Sequence, residues 1–471
     1  MRFSTAVALV ALPLATLGAC GDDSPATPDV ADTAAPDATS DTTDPADTPE
    51  TADTTPPPAC DPTRPPVVMA HGFLAAGDTW TPFAQRFLAN GDCPDRLFAF
   101  DWNPFDRDAA PAQLETFIDA VRTATGATTV QLVGHSAGGN LGYTFLADPA
   151  RAARVSHYAH VGSGSDKEGP AGPTDAPVPT LNLYSRADRV VPGADIPGAI
   201  NAGFDGFDHY QIATAPEAFA RLFEHFRGAP PTTTDRTAAP PANPGRRRIH
   251  GRALTIGENA PVAGWTVDIY PVQPETGVRT TRSALGTFTV AADGSFGPID
   301  LEPDTHHEFH LYGGGPDDRA VHYFREPFAA DDPFVVLRAL PGPDSLAGLL
   351  FSNIPFPEDS PVVIAFTASQ AVIAGRDTLT VAGEDLAVEG LATPEKTAIA
   401  WFFYDQDEDQ TSGEGATEIP LFSSFGAFLV ALDRYFPADA EGPIVLSFNG
   451  RELRVPRIPA ASGGATVAIF D

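Results

Sequence analysis

The sequence predicts an α/β body built on a mainly parallel sheet, followed by an all-β region. Three observations predict it. From residue 59 to 230, short apolar runs alternate with segments of helical periodicity, the pattern of βαβ units. A stretch crowded with Pro and Thr then interrupts the chain. From residue 247 onward the period becomes two, with turn signals between the runs. The 471 residues are 42% hydrophobic and 19% charged, which suits globular domains. A net charge of −33 argues against gripping nucleic acid, and equally against electrostatic docking on anionic lipid.

Residues 1–19 carry a positive charge near their start at Arg2, an apolar run from Ala6 to Leu17 and small residues at their end, a secretory signal layout too short to span as a mature helix. Leu17-Gly18-Ala19-Cys20 resembles the lipobox of bacterial lipoproteins. The resemblance implies cleavage before Cys20, lipidation of Cys20, and an exported protein anchored to a membrane and facing the periplasm or the cell exterior; an ordinary signal peptide and secretion is the alternative. Residues 20–58 are mostly Asp, Thr, Pro and Ala, with too little apolar surface to offset chain entropy, and are expected to be a disordered tether. Export permits a disulfide between the remaining cysteines, Cys60 and Cys93. Both precede expected strands, 67–70 and 97–100. If those strands are parallel neighbours, both cysteines share one sheet edge.

Residues 59–230 are expected to carry the chemistry. Pro66–Ala70 is a buried strand ending in His71-Gly72. Trp80, Phe83, Phe87 and Leu88 mark a helix, Leu97–Phe100 a second strand, and Leu114, Phe117, Ile118 and Val121 a second helix. Thr129–Val133 is a third strand and runs into Gly134-His135-Ser136-Ala137-Gly138-Gly139. This is G-x-S-x-G between a strand and a helical pattern. Gly134, His135 and Gly138 would form a sharp elbow that presents Ser136 as nucleophile. A serine needs a base, and the base needs an orienting carboxylate, in the chain order Ser, acid, His. Asp188 follows the strand Pro179–Tyr184 at its C-terminal edge, where sites of open α/β sheets lie; Asp166 and Asp195 are its rivals. His209, ahead of the helix 216–226, is the expected base, whereas His225 lies on that helix and reads as a packing or surface residue. The N–H groups of Phe73 and Ala137 are the expected oxyanion donors.

Val67–Phe226 resembles the bacterial lipase branch of the α/β-hydrolases in minimal form, which implies hydrolysis of carboxylic esters to a fatty acid and an alcohol without a cofactor. The run from His209-Tyr210-Gln211 through Pro216-Glu217-Ala218-Phe219 to Pro231-Thr232-Thr233-Thr234-Asp235 resembles the archaeal, Archaeoglobus-type long-chain lipases, whose hydrolase precedes a C-terminal β-barrel. In that family the acid follows the strand matching Ser156–Val161. The matching position here is Gly162, so the role falls back on Asp188. The resemblance also implies that the β half brings long-chain or insoluble acyl substrate to the site. Removing residues 247–471 is then expected to spare short esters and harm long ones. A polyester depolymerase or thioesterase would use the same triad, and a surface binding or adhesion protein with an inactive hydrolase fold is a reading of another class.

Residues 231–246 read as a linker, 247–340 as a β-sandwich module and 341–471 as a C-terminal β domain. Gly264–Tyr270 alternates, and Thr287–Val290 with Asp293–Gly297 reads as strand, tight turn, strand. This layout resembles transthyretin-like modules. One barrel and two small domains both remain open. Leu349–Phe351 and Phe422–Leu432 are apolar enough for an acyl-chain patch or for core. Asp405, Asp407 and Asp409 alternate as in calcium loops, but Gln410 and Ala416 stand at the glycine and glutamate positions, so a solvated acidic hairpin is expected. His306, His307 and His310 lack a nearby fourth ligand and read as surface residues rather than a metal site.

Overall fold

The computed structural model describes residues 60–315, 318–342, 345–420 and 428–471. The signal segment, Cys20, the tether and Phe422–Ala427 lie outside the described residues.

Six strands form the first sheet: β1 (Val67–Ala70), β2 (Leu97–Phe100), β3 (Val130–His135), β4 (Val155–Val161), β5 (Thr180–Ser185) and β6 (Ile200–Phe204). Their order is β2-β1-β3-β4-β5-β6, and every pair is parallel. Alternate residues serve opposite faces, as the strand period requires. Val67, Met69 and Val133 face helices α1 (Thr81–Ala89) and α5 (Pro216–Arg227), packing on Phe83, Phe87, Phe219 and Leu222. Val68, Ala70 and Leu132 face α2 (Ala110–Thr125) and α3 (Ala137–Leu146), packing on Leu114, Ile118 and Phe145. A short helix α4 (Pro149–Ala152) leads into β4. The chain reverses direction across the sheet between β1 and β3, so their C-terminal ends border the crevice where such sheets bind ligands. Cys60 and Cys93 form a disulfide across a separation of 33 residues, worth roughly 3–4 kcal/mol in the chain-entropy model.

The β half contains β7 (Arg247–Thr255), β8 (Thr266–Val272), β9 (Gly286–Thr289), β10 (Ser295–Leu301), β11 (His306–Tyr312), β12 (Val321–Arg325), β13 (Asp332–Ala339), β14 (Val362–Thr367), β15 (Leu379–Val381), β16 (Glu384–Asp385), β17 (Ala400–Tyr404), β18 (Leu429–Asp433), β19 (Ile444–Phe448), β20 (Arg451–Val455) and β21 (Ala465–Phe470). An eight-stranded sheet, β18-β17-β14-β21-β12-β11-β8-β9, takes strands from both sides of Leu340. On one face Ile364, Phe402 and Val467 pack with Ile249, Phe296 and Leu337 of the three-stranded sheet β10-β7-β13. On the other, Val363, Trp401 and Ala468 pack with Leu379, Leu446 and Leu453 of the four-stranded sheet β16-β15-β19-β20. Of the apolar runs, Phe351 and Leu429–Leu432 are core, whereas Leu349 is 60% exposed. His307 corrects the surface reading, since it is fully buried beside Phe328; burial pushes its imidazole down to about 4.

Candidate active site

Ser136 sits directly after β3 with φ 54 and ψ −119, a conformation few side chains adopt. The glycines around it are required by space. A Cβ on Gly134 would meet the Gly138 carbonyl oxygen at 2.3 Å, and one on Gly138 would meet that of Ala70 at 2.4 Å. The turn thus brings β3 and α3 close enough to project the serine from the sheet edge.

His209 Nε2 lies 2.9 Å from Ser136 Oγ, and His209 Nδ1 lies 2.7 Å from Asp188 Oδ2. Asp188 is itself fixed, because its Oδ1 accepts from the N–H groups of Val190 and Val191, both at 2.9 Å. His209 and Asp188 are each 1% exposed, so water competes little for these bonds. The rivals are elsewhere. Asp166 is exposed and pairs with Lys167, and Asp195 accepts from the Tyr184 hydroxyl. Gly162, where the resembling family carries its acid, has φ 48, and a Cβ there would come 2.7 Å from Ile212 Cγ2. His225 bonds to the backbone carbonyls of Tyr158 and Pro179, away from the serine.

An open cleft of about 580 Å³ lies over the serine, bordered by Phe73, Trp102, Ser136, Ala137, Val190 and Phe428. The two expected oxyanion donors therefore belong to residues lining the same cleft. A larger hollow at the β6 edge, lined by Ile200, Arg221 and His225, shares no residue with this cleft.

Residues 65–203 match the family model described as alpha/beta hydrolase fold, and residues 245–340 match the one described as lipase C-terminal domain. The parallel sheet and its helices have the α/β-hydrolase fold. Solved structures similar to it include Aspergillus fumigatus lipase B, at 14% identity and TM-score 0.28 over 36% of this chain and 54% of that one. Lipase BlEst2 of Bacillus licheniformis is 17% identical with TM-score 0.28 over 36% of this chain and 94% of its own. Carboxylesterase CesB of Bacillus subtilis is 14% identical with TM-score 0.28 over 36% and 86%. The chain thus spans about half the length of the Aspergillus lipase. No curated protein matches it.

Three contacts of the site reach beyond the local motif. His135 does more than fill the elbow. Burial, aided by the nearby His209, pushes its imidazole down to about 3, so it is neutral, and its Nε2 donates to the His209 carbonyl at 2.8 Å. Asp208, next to His209, is buried and faces Arg376 of the β half at 2.8 Å. Asn259, on the β7–β8 turn, reaches into the loop that carries Phe73. Its Nδ2 lies 2.9 Å from the Ala75 carbonyl oxygen, 3.0 Å from that of Trp102 and 3.2 Å from His71 Nε2. No local signal marks these contacts, because each joins residues far apart in sequence.

Phe428 also connects the halves. Its ring centroid is 5.9 Å from that of His209, and it borders both the cleft and an apolar cavity inside the β half. That cavity is lined by Leu74, Phe351, Phe366, Phe402 and Ile469 among others, and only about 50 Å³ of it is open.

The acidic run is exposed over residues 406–410, as the solvated reading expects, but the strands on either side of it pair in parallel rather than as a hairpin, and Asp405 is buried. Asp405 is 1% exposed, and the carboxylates that converge are Asp405, Asp407 and Asp433, while Asp409 accepts from Thr411 instead.

Proposed function

We propose that the protein is a serine carboxylic-ester hydrolase acting on acylglycerols or other fatty-acyl esters. The observation that carries this reading is the hydrogen-bonded series Asp188–His209–Ser136 beside an open cleft. Ser136 Oγ attacks the ester carbonyl while His209 Nε2 takes its proton. Asp188 holds the proton on Nδ1 and stabilises the imidazolium. The N–H groups of Phe73 and Ala137 receive the oxyanion, and collapse expels the alcohol, protonated by His209. Water then repeats the sequence on the acyl-serine and releases the acid.

The apolar cavity beyond Phe428 supports an acyl substrate over a small polar one. About 50 Å³ accommodates only a methylene or two at roughly 30 Å³ each, by comparison with a water's share of liquid volume. A long chain therefore requires Phe428 and its neighbours to move aside. The lipobox resemblance supports anchoring through a lipid on Cys20, with the site held outside the membrane.

The test is hydrolysis of nitrophenyl acetate, octanoate and palmitate by the wild type and by Ser136→Ala, Asp188→Asn and Asp166→Asn. Ser136→Ala should lose several orders of magnitude, Asp188→Asn on the order of 10⁴-fold, and Asp166→Asn little. Cleavage undiminished in Ser136→Ala would sink the mechanism, and a wild type cleaving no ester would favour the binding-module reading.

A further inference from the structure

We propose that Asp405, Asp407 and Asp433 hold a divalent cation, calcium by the chemistry of the donors, at the shared end of β17 and β18. The three side chains each bring one oxygen within 4.8 Å of the others. The parallel register sets Tyr404 opposite Asp433, so Asp405 emerges one residue past the paired segment and beside Asp433. Two strands distant in sequence thus deliver carboxylates to one point. Like charges this close repel, and a shared cation relieves the repulsion. The neighbouring basic side chains are committed elsewhere, Arg434 to Glu384 and Lys396 to Glu418.

A second observation is independent of the clustering. Asp405 is 1% exposed, its Oδ2 accepts from the Gln410 N–H at 2.9 Å, and its equally buried Oδ1 has no hydrogen-bond partner. A buried carboxylate oxygen without a donor is strongly unfavourable, and a cation supplies what it lacks. The donors are all oxygen, with no thiolate or imidazole in the group, which selects a hard cation. Three carboxylates from a loop and a strand end suit the larger, less exacting shell of calcium better than the strict octahedron of magnesium. The ion would have structural work to do, since β18 is the outermost strand of the eight-stranded sheet and, among the described residues, has only a short bridge to Glu418 and Ile419 on the side away from β17.

The experiment uses the whole chain, stripped with EDTA and exchanged into chelator-free buffer. It is titrated calorimetrically with calcium chloride and separately with magnesium chloride, with thermal unfolding followed in parallel. One calcium per chain is expected, with a dissociation constant of about 1 mM or tighter, and a Tm that rises with calcium. Asp407→Asn alters an exposed residue and should fold normally, yet weaken calcium binding by about tenfold or more and remove the Tm rise. Asp409→Asn, exposed in the same loop but outside the group, should change neither. The proposal is overturned if calcium up to about 10 mM gives neither heat nor a Tm rise. It is equally overturned if Asp409→Asn loses as much as Asp407→Asn, or if magnesium acts as strongly as calcium, since either result means diffuse charge screening.

Discussion

Replacing Asn259 with alanine should damage turnover of even the smallest ester, although the residue belongs to the β half. The Asn259 amide nitrogen lies within hydrogen-bonding reach of the Ala75 and Trp102 carbonyl oxygens, at 2.9 and 3.0 Å, and is buried with them. Its removal leaves two buried carbonyls without this donor, at about 1–3 kcal/mol each. Part of that is offset, because Asn259 Oδ1 is itself buried without a partner and disappears in the variant. The net loss of stability is then about 1–3 kcal/mol. The consequence for rate follows from position. The freed loop carries Phe73, the proposed oxyanion donor, and complete loss of one such donor costs about 10²–10³ in kcat. A loosened donor should cost a fraction of that, about tenfold. The assay is kcat for nitrophenyl acetate and octanoate beside a thermal melt. A lowered Tm with kcat unchanged on both esters would show that the loop holds its aim without Asn259, and would refute the argument. The same contacts change the expectation for removal of residues 247–471. That deletion also uncovers Asp78 and Asp101, which lose Arg338 and Arg252, and Asp208, which loses Arg376. Short-ester activity should fall with it rather than survive.

Two further outcomes are expected. Phe428→Ala opens the boundary between cleft and apolar cavity, and should raise the palmitate-to-acetate ratio of kcat/KM several-fold; a parallel change on both esters would remove Phe428 from chain selection. His160 is buried, and burial pushes its imidazole down to about 4, below the 6.5 of an exposed histidine. It is therefore neutral in the fold and takes up a proton on unfolding below pH 6.5, so its contribution to stability is present above 6.5 and is lost as pH falls toward 4. Urea denaturation of wild type and His160→Gln at pH 7 and 4.5 should show the wild type losing about 2 kcal/mol more than the variant; equal losses would contradict the burial argument.

The hydrolase strands were legible because fully buried parallel strands read as unbroken apolar runs. Val67–Ala70 and Leu97–Phe100 stand where those runs placed them. β6, Ile200–Phe204, was not legible, since it is an edge strand of half-exposed and small residues with no apolar run to mark it. Ser136 could be read from its motif and His209 from chain order. Asp188 could be separated from Asp166 only by position, because carboxylates in polar loops look alike until one of them meets an imidazole. In the β half, the alternation of Gly264–Tyr270 located the strand Thr266–Val272, but not its partners. β12 pairs with β21 across some 140 residues, and periodicity carries no information about such a pairing. Asn259, Arg376 and Asp433 stayed hidden for the same reason.

The position of β21 bears on the order in which the chain can assemble. It is the latest of the described strands to be synthesised, yet it lies in the middle of the eight-stranded sheet, hydrogen-bonded to β14 on one side and β12 on the other. Both flanking strands stay unpaired along those edges until Ala465–Phe470 arrives. Open edges of that kind are where nascent chains stick to one another. A ragged end is ordinarily the safest place to trim a protein. Here, loss of the last ten residues would split the sheet at its centre, and a ribosome that stopped that early would release a chain with two exposed strand edges.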